Sequence, residues 1–170
     1  VGGSAYLGDQ GQGQLYGTQD DDGNCIDCDR ADVFMQLYEV HGQIRNKGVE
    51  LRGLATWTKI NDAGRLSIDS DINQTIGEEM LGYYGEIAYD VLPILFPGTT
   101  QYLAPWFRYS RIDTHYRAAD GFQASDAQNR SIIEMGLSYK PIPQVVVKLD
   151  YRAQDAKNGT LPDEIRLGFG

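Results

Sequence analysis

The chain has 170 residues, of which 41% are hydrophobic and 23% charged, a balance that excludes both a disordered chain and a bundle of membrane-spanning helices. Its longest apolar run, residues 91–96, contains Pro93 and is far shorter than the roughly 20 residues that a membrane-spanning helix needs. The formal net charge of −9 argues against a nucleic-acid partner, because nucleic acids are bound by basic surfaces.

The N-terminal half alternates apolar and polar residues with a period of two, which is the pattern of a strand with one apolar face. Residues 2–8 predict a partial strand and residues 34–45 a full one, with Gln36 as a polar misfit on its apolar side. Residues 50–58 and 81–92 repeat the pattern. Four strands are therefore predicted in this half.

The C-terminal half continues the alternation at residues 103–110, 133–140 and 145–154, and a partial strand follows at residues 164–170. The segment 145–154 is the clearest, because apolar residues hold every second position and four of the five alternates are polar. The whole chain is therefore predicted to be all-β, with about eight antiparallel strands.

Long and short connections alternate along the chain. The short or proline-marked connections are residues 46–48, 93–100 and 141–144, and the long polar ones are residues 9–31, 61–80, 117–130 and 155–162. Membrane barrels show this alternation, with tight periplasmic turns at one rim and long external loops at the other. We therefore predict a single transmembrane antiparallel β-barrel segment over residues 1–170.

The apolar–polar alternation alone does not show which face of the sheet is exposed to water, so a soluble antiparallel β-sandwich binding module remains an alternative. The aromatic residues favour the barrel, because tyrosine and tryptophan near strand ends keep one side of the ring in hydrocarbon and the other in water. The residues in question are Trp57, Tyr83, Tyr89, Tyr109, Tyr139 and Tyr151. Strands in lipid must close into a barrel, alone or with further strands, because every backbone group needs a partner.

Several segments also carry a family resemblance. Residues 82–92 read Gly-Tyr-Tyr-Gly-Glu-Ile-Ala-Tyr-Asp-Val-Leu, and residues 103–109 read Leu-Ala-Pro-Trp-Phe-Arg-Tyr. Residues 136–143 read Gly-Leu-Ser-Tyr-Lys-Pro-Ile-Pro, and residues 147–152 read Val-Lys-Leu-Asp-Tyr-Arg. Over roughly residues 30–170 the chain resembles the C-terminal half of bacterial outer-membrane porins of the phosphate-selective (O and P) type.

The resemblance implies a water-filled channel in the bacterial outer membrane, surrounded by lipid, through which small solutes or ions diffuse passively. It also implies a homotrimer and about sixteen strands, of which this chain would be the last half, with a complete eight-strand barrel as the alternative. The selectivity residues of the phosphate-selective members lie largely on parts absent here, so phosphate specificity is not carried over. The second functional hypothesis is a small structural or adhesive outer-membrane barrel that binds partners through its external loops.

Polar positions of the predicted strands are expected to line the channel. Basic and acidic side chains are equal in number there, seven of each, so no ring of one sign is predicted. Asp90, Glu86 and Arg108 are expected to lie on the inner faces of adjacent strands near the connection at residues 93–100, where their pairing would neutralise the charge of that rim. The predicted pore-lining residues are Glu39, His41, Arg45, Glu50, Arg52, Glu86, Asp90, Arg108, Glu134, Lys140, Lys148, Asp150, Arg152, Glu164 and Arg166.

The acidic segment 20–32 is unlike the rest of the chain. Cys25 and Cys28 are predicted to form a small local disulfide in an oxidising compartment. The same segment contains a weak candidate calcium site, whose ligands would be Asp20, Asp22, Asn24, Asp27 and Asp29. Because the glycine and glutamate of an EF-hand loop are missing, a solvated acidic loop without a cofactor is the favoured interpretation.

Catalysis has little support in the sequence. His41 and His115 are the only histidines, and no compact motif presents a serine or an aspartate together with either of them. Two histidines also give no transition-metal constellation. No enzymatic activity is therefore predicted.

Overall fold

A computed structural model describes residues 1–9, 15–19, 24–30, 33–64 and 75–170, with the side chains of 15–19, Cys25 and 27–30 left undescribed. The described chain is almost entirely β-structure. Its strands are β1 (Gly2–Asp9), β2 (Leu15–Gln19), β3 (Cys25–Arg30), β4 (Phe34–Asn46), β5 (Val49–Ile60), β6 (Gly77–Tyr89), β7 (Tyr102–Ala118), β8 (Asn129–Lys140), β9 (Val147–Ala156), β10 (Gly159–Thr160) and β11 (Glu164–Phe169).

Nine of these strands form one antiparallel sheet in the order β1-β4-β5-β6-β7-β8-β9-β10, with β11 also paired to β9. Strands β10 and β11 both lie on the side of β9 away from β8, so together they make one interrupted last strand. The predicted all-β antiparallel fold is confirmed, and the eight predicted strands correspond to the eight members of this meander. A closed barrel is not observed, because the sheet formed by the described residues is open.

Tight connections fix the pairing of neighbouring strands. Asn46 lies opposite Val49, and the turn between them places Lys47 at φ 47° and Gly48 at φ 85°. Two successive positive φ values are characteristic of the type I′ turn, whose twist matches that of a hairpin. The β6–β7 connection contains a single-turn helix, α1 (Leu92–Leu95). Within the described residues no helix is long and apolar enough to cross a membrane.

Because consecutive strands are antiparallel, their connections gather at two opposite ends of the sheet. Residues 47–48, 90–101 and 141–146 lie at one end, here called the turn end, and residues 61–64, 75–76 and 119–128 lie at the other, the loop end. The three connections predicted to be short, at residues 46–48, 93–100 and 141–144, thus lie at the turn end.

Two predicted long loops contain regular structure. The β2–β3 hairpin occupies part of residues 9–31. The connection predicted at residues 155–162 is a two-residue turn, because Ala156 pairs with Gly159. Polar residues at an exposed hairpin tip have the composition of a loop, so the sequence pattern could not separate the two.

The two faces of the sheet differ sharply in chemistry and in exposure. One face, the apolar face, presents large hydrophobic side chains to the outside: Val40 is 56% exposed, Ile44 63% and Leu149 52%. The opposite face, the charged face, is the better buried, with Glu50 only 9% exposed and Glu134 8%. A soluble sheet has the reverse arrangement, since burial of apolar side chains is what stabilises it.

Candidate functional site

Cross-strand register brings the predicted pore-lining residues together on the charged face. Glu50 lies opposite Arg45 on β4, and Arg52 lies opposite Glu86 on β6. Arg166 on β11 lies opposite Asp150 on β9. By the same alternation the charged face carries Glu39, His41, Arg45, Glu50, Arg52, Glu86, Arg108, Glu134, Lys140, Lys148, Asp150, Arg152, Glu164 and Arg166.

The prediction that Asp90 joins the pairing of Glu86 and Arg108 is wrong, because within the described residues Arg108 contacts Glu86 and not Asp90. Asp90 follows the last residue of β6, and its Oδ1 accepts hydrogen bonds from the backbone N–H groups of Leu92 and Leu103, both at 3.2 Å. The carboxylate therefore organises the β6–β7 connection at the turn end. Since backbone donors already hold it, its role in the structure is to shape the turn.

A row of alternating charges runs straight across the charged face. Its members occupy six neighbouring strands and lie directly opposite one another: Arg52, Glu86, Arg108, Glu134, Arg152 and Glu164. We call this row the charge ladder. Opposite charges at directly paired positions stabilise a sheet, whereas like charges there destabilise it.

Side-chain contacts join the members of the ladder. Arg108 Nε donates to Glu86 Oε2 at 2.9 Å, which is the pairing expected from the sequence. Glu134 is approached by Arg152 at 3.7 Å, by Arg108 at 3.9 Å and by Arg166 at 2.6 Å. Each buried glutamate thus faces more than one guanidinium, which offsets the free-energy cost of removing its charge from water.

A second set of ion pairs lies next to the ladder towards the turn end. Glu50 contacts Arg52 at 2.9 Å and Arg45 at 3.2 Å, and it accepts a hydrogen bond from the hydroxyl of Tyr102 at 3.3 Å. Arg166 Nε donates to Asp150 Oδ2 at 2.7 Å. The carboxylates of the charged face around the ladder are therefore neutralised by neighbouring arginines.

Two lysines at the turn end of the charged face differ from these arginines. Lys140 Nζ lies 5.2 Å from the ring centroid of Tyr102, a cation–π contact, and Lys148 lies opposite Ser138. Among the residues described, neither lysine has a carboxylate within salt-bridge distance. These two lysines are therefore positive charges on the charged face without an acidic neighbour among the described residues.

A cavity of about 280 Å³ opens on the charged face and is lined by residues from β5 across to β11. A cavity spanning so many strands requires that face to be concave. The indole of Trp106 lies in its wall, and Trp106 Nε1 has no hydrogen-bond partner among the residues that the structure describes. The alternation at residues 103–110 already places Trp106 on the polar side. It is not among the residues predicted to line the channel, because that prediction is limited to charged residues and histidine.

The two histidines are held in separate hydrogen-bonded groups. His41 Nδ1 lies 2.7 Å from Glu39 Oε1, and Ser4 Oγ donates to the other carboxylate oxygen at 3.1 Å. Glu39 therefore stands between the serine and the histidine, which is not the order that activates a serine nucleophile. His115 Nδ1 accepts a hydrogen bond from the backbone N–H of Ser125 at 3.1 Å.

The acidic segment contributes little to what the structure describes. Asp20 and Asp22 lie outside the described residues, and the side chains of Cys25, Asp27, Cys28 and Asp29 are likewise undescribed. The local disulfide and the calcium site therefore stay predictions. Across the described ranges, no group of three or more His, Cys, Asp or Glu residues is placed to hold a metal ion.

Comparison with known proteins gives one distant relative. No protein-family model matches the chain, and no solved structure matches it. An uncharacterized protein of Aquifex aeolicus (strain VF5) is 26% identical over 151 residues, which cover 85% of this chain and 33% of the relative. The chain thus spans about a third of the length of the protein it matches.

Proposed function

We propose that the chain is part of an outer-membrane porin, in which the apolar face meets lipid and the charged face lines a water-filled channel for small solutes or ions. The observation that carries the proposal is the reversed exposure of the two faces. Removing a fully exposed leucine, isoleucine or phenylalanine side chain from water contributes about 1.5–3 kcal/mol, so each half-exposed side chain of this face would contribute roughly half of that. Hydrocarbon around the sheet supplies that environment, while the paired charges stay on the inside.

The outline of the apolar surface supports a membrane location. Towards the loop end, Ala153 is the last apolar residue that β9 contributes to the apolar face. The positions paired with Ala153 across β8, β7, β6 and β5 end at Gly42 on β4. On β4 the apolar face extends further towards the loop end, to Tyr38, a difference of 42 − 38 = 4 residues over five strand-to-strand steps.

That displacement is expected if the strands tilt within a layer of constant depth. A shift of four residues, at about 3.3 Å each, over five steps of about 4.8 Å gives a tilt of roughly 30°. Strands in membrane barrels tilt by about 35–45°. The aromatic residues support the same arrangement, since Tyr38 and Trp57 stack with ring centroids 5.9 Å apart at the loop-end limit of the apolar face.

The length of the relative supports a wide barrel. Its matched 151 residues are 33% of it, so it has about 151/0.33 ≈ 460 residues. Eight meander strands occupy 170 residues here, so sixteen strands would need about 2 × 170 = 340. A barrel of eight strands has its interior filled by side chains, whereas sixteen strands leave an aqueous channel.

Single-channel recording tests the proposal. The protein, produced with its native flanking sequence, should require detergent for solubility, and it should migrate faster on gels before heating than after. Added to a planar lipid bilayer, it should give discrete conductance steps. A protein that is soluble without detergent would instead be a soluble sheet, and one that inserts without conducting would be a structural barrel.

Replacement of Lys148, one of the two lysines without a carboxylate partner, tests which face lines the channel. Lys148→Glu should shift the reversal potential in a salt gradient towards cation preference, because it replaces an unpaired positive charge on the charged face. The shift should be larger at low salt, where the Debye length is greater. Lys47→Glu, at the tip of the β4–β5 turn, is the control and should have a much smaller effect. Equal shifts would contradict the assignment of the face.

A further inference from the structure

One arginine of the sheet lies on the side opposite to all the ion pairs described above. Arg111 on β7 is directly opposite Tyr83 on β6 and Ser131 on β8, so its exposed side chain belongs to the apolar face. In the part of the chain that the structure describes, its guanidinium makes no ion pair or hydrogen bond. Each other arginine with a described side chain contacts a carboxylate or a carbonyl oxygen.

Arg111 lies in a shallow groove of about 170 Å³ whose other lining residues are Leu81, Tyr83, Asp113 and Tyr116. The two tyrosines are accessible, at 38% and 58% exposure. Asp113 is only 8% exposed, and its Oδ1 accepts a hydrogen bond from the backbone N–H of His115 at 3.1 Å. The groups of the groove that can reach a ligand are therefore one guanidinium and two phenol hydroxyls, all of them hydrogen-bond donors.

The groove lies where the apolar surface of β7 ends. Tyr109, two residues nearer the turn end, still belongs to the apolar face, whereas Arg111 and Asp113 do not continue it. In a porin this is the depth at which hydrocarbon gives way to lipid head groups on the loop side of the membrane. The ligand that we infer for this groove therefore depends on the porin function proposed above.

We propose that this groove binds the phosphate of an anionic lipid head group in the outer leaflet. A guanidinium and a phosphate form paired charge-assisted hydrogen bonds, and the tyrosine hydroxyls can donate to the remaining phosphate oxygens. Leu81 and the ring of Tyr83 offer an apolar surface to the acyl chain that follows. A free phosphate ion would gain only the polar contacts, so a lipid is the ligand that uses the whole groove.

Native mass spectrometry of the full-length protein in a neutral detergent tests the proposal. We expect retention of added diphosphorylated lipid A, but not of phosphatidylcholine at the same concentration. Arg111→Gln should weaken lipid A retention roughly tenfold or more, the effect of losing a charge-assisted hydrogen bond to phosphate. Arg111→Lys should retain part of the affinity, since it keeps the charge. Arg117→Gln is the matched control, because Arg117 lies on the same strand but is already paired with Glu79 at 3.7 Å.

Three results would overturn the proposal. One is equal retention of lipid A by the Arg111→Gln and Arg117→Gln variants. Another is retention of phosphatidylcholine as strong as that of lipid A. The third is inorganic phosphate that competes with lipid A at equal concentration, since the site would then recognise the ion alone. Failure of the parent protein to show heat-modifiable migration would instead remove the proposed porin, and the lipid site with it.

Discussion

Leu149→Arg is expected to destabilise the folded protein in a bilayer by about 2–4 kcal/mol, because an arginine near the midplane of a lipid-facing surface must enter hydrocarbon. Leu149 is 52% exposed, and it lies opposite Leu137 and Leu167 in the middle of the apolar face. The measurement is the free energy of unfolding by urea for protein folded into lipid vesicles.

Leu95→Arg provides the matched control for this substitution. Leu95 is 60% exposed, slightly more than Leu149, but it lies in helix α1 at the turn end, outside the sheet. In lipid the Leu95 variant should unfold like the parent protein, because its side chain remains in water. If both variants lose the same small amount of stability, the apolar face does not contact hydrocarbon, and a soluble sheet would take the place of the porin.

Glu134→Gln is expected to destabilise the protein by about 1.5–3 kcal/mol, because it replaces a carboxylate shared by three guanidinium groups with a neutral amide and so removes charge-assisted contacts. Glu134 is 8% exposed and contacts Arg108, Arg152 and Arg166. The three arginines would keep their other carboxylate partners, Glu86, Glu164 and Asp150, but would lose the carboxylate that they share. The same urea titration in vesicles measures the loss.

Asp126→Asn is the corresponding control at the surface. Its partner Lys157 lies at 2.7 Å, yet the two side chains are 54% and 63% exposed, so the pair is surrounded by water. Exposed ion pairs contribute about 0–1 kcal/mol, and the loss on substitution should lie in that range. If the Glu134 variant loses no more free energy of unfolding than this control, the charge ladder does not stabilise the sheet.

Much of the sheet could be predicted from the sequence, because alternation persists wherever one face is apolar. The prediction for β7 stopped at residue 110, although the strand continues to Ala118. Alternation ends there since Arg111 and Asp113 occupy apolar-side positions, while the backbone remains paired to β6. Where a strand extends beyond the apolar layer, neither of its faces has to be apolar. That part of the strand therefore lacks the alternation by which strands are recognised in a sequence.

The charged face could be predicted as a set of residues but not as a set of pairs. Alternation gives the face of each residue, whereas the partner depends on register, which turns and bulges determine. The two register shifts between β6 and β7, from Gly77 to Leu81, lie outside the alternation, which begins at residue 81. Asp90 shows the same limit, because only the path of the β6–β7 connection brings the Leu103 N–H group to its carboxylate.

The order of charges in the ladder also determines which misalignments the sheet can tolerate. A slip of two residues between strands keeps every side chain on its proper face, so the apolar pattern cannot prevent it. Between β9 and β11, such a slip places Arg166 opposite Arg152 in one direction and Glu164 opposite Asp150 in the other. Between β8 and β9, a slip in one direction places Glu134 opposite Asp150. Each of these slips sets like charges directly against each other, which destabilises the misaligned sheet and leaves the observed register favoured during assembly.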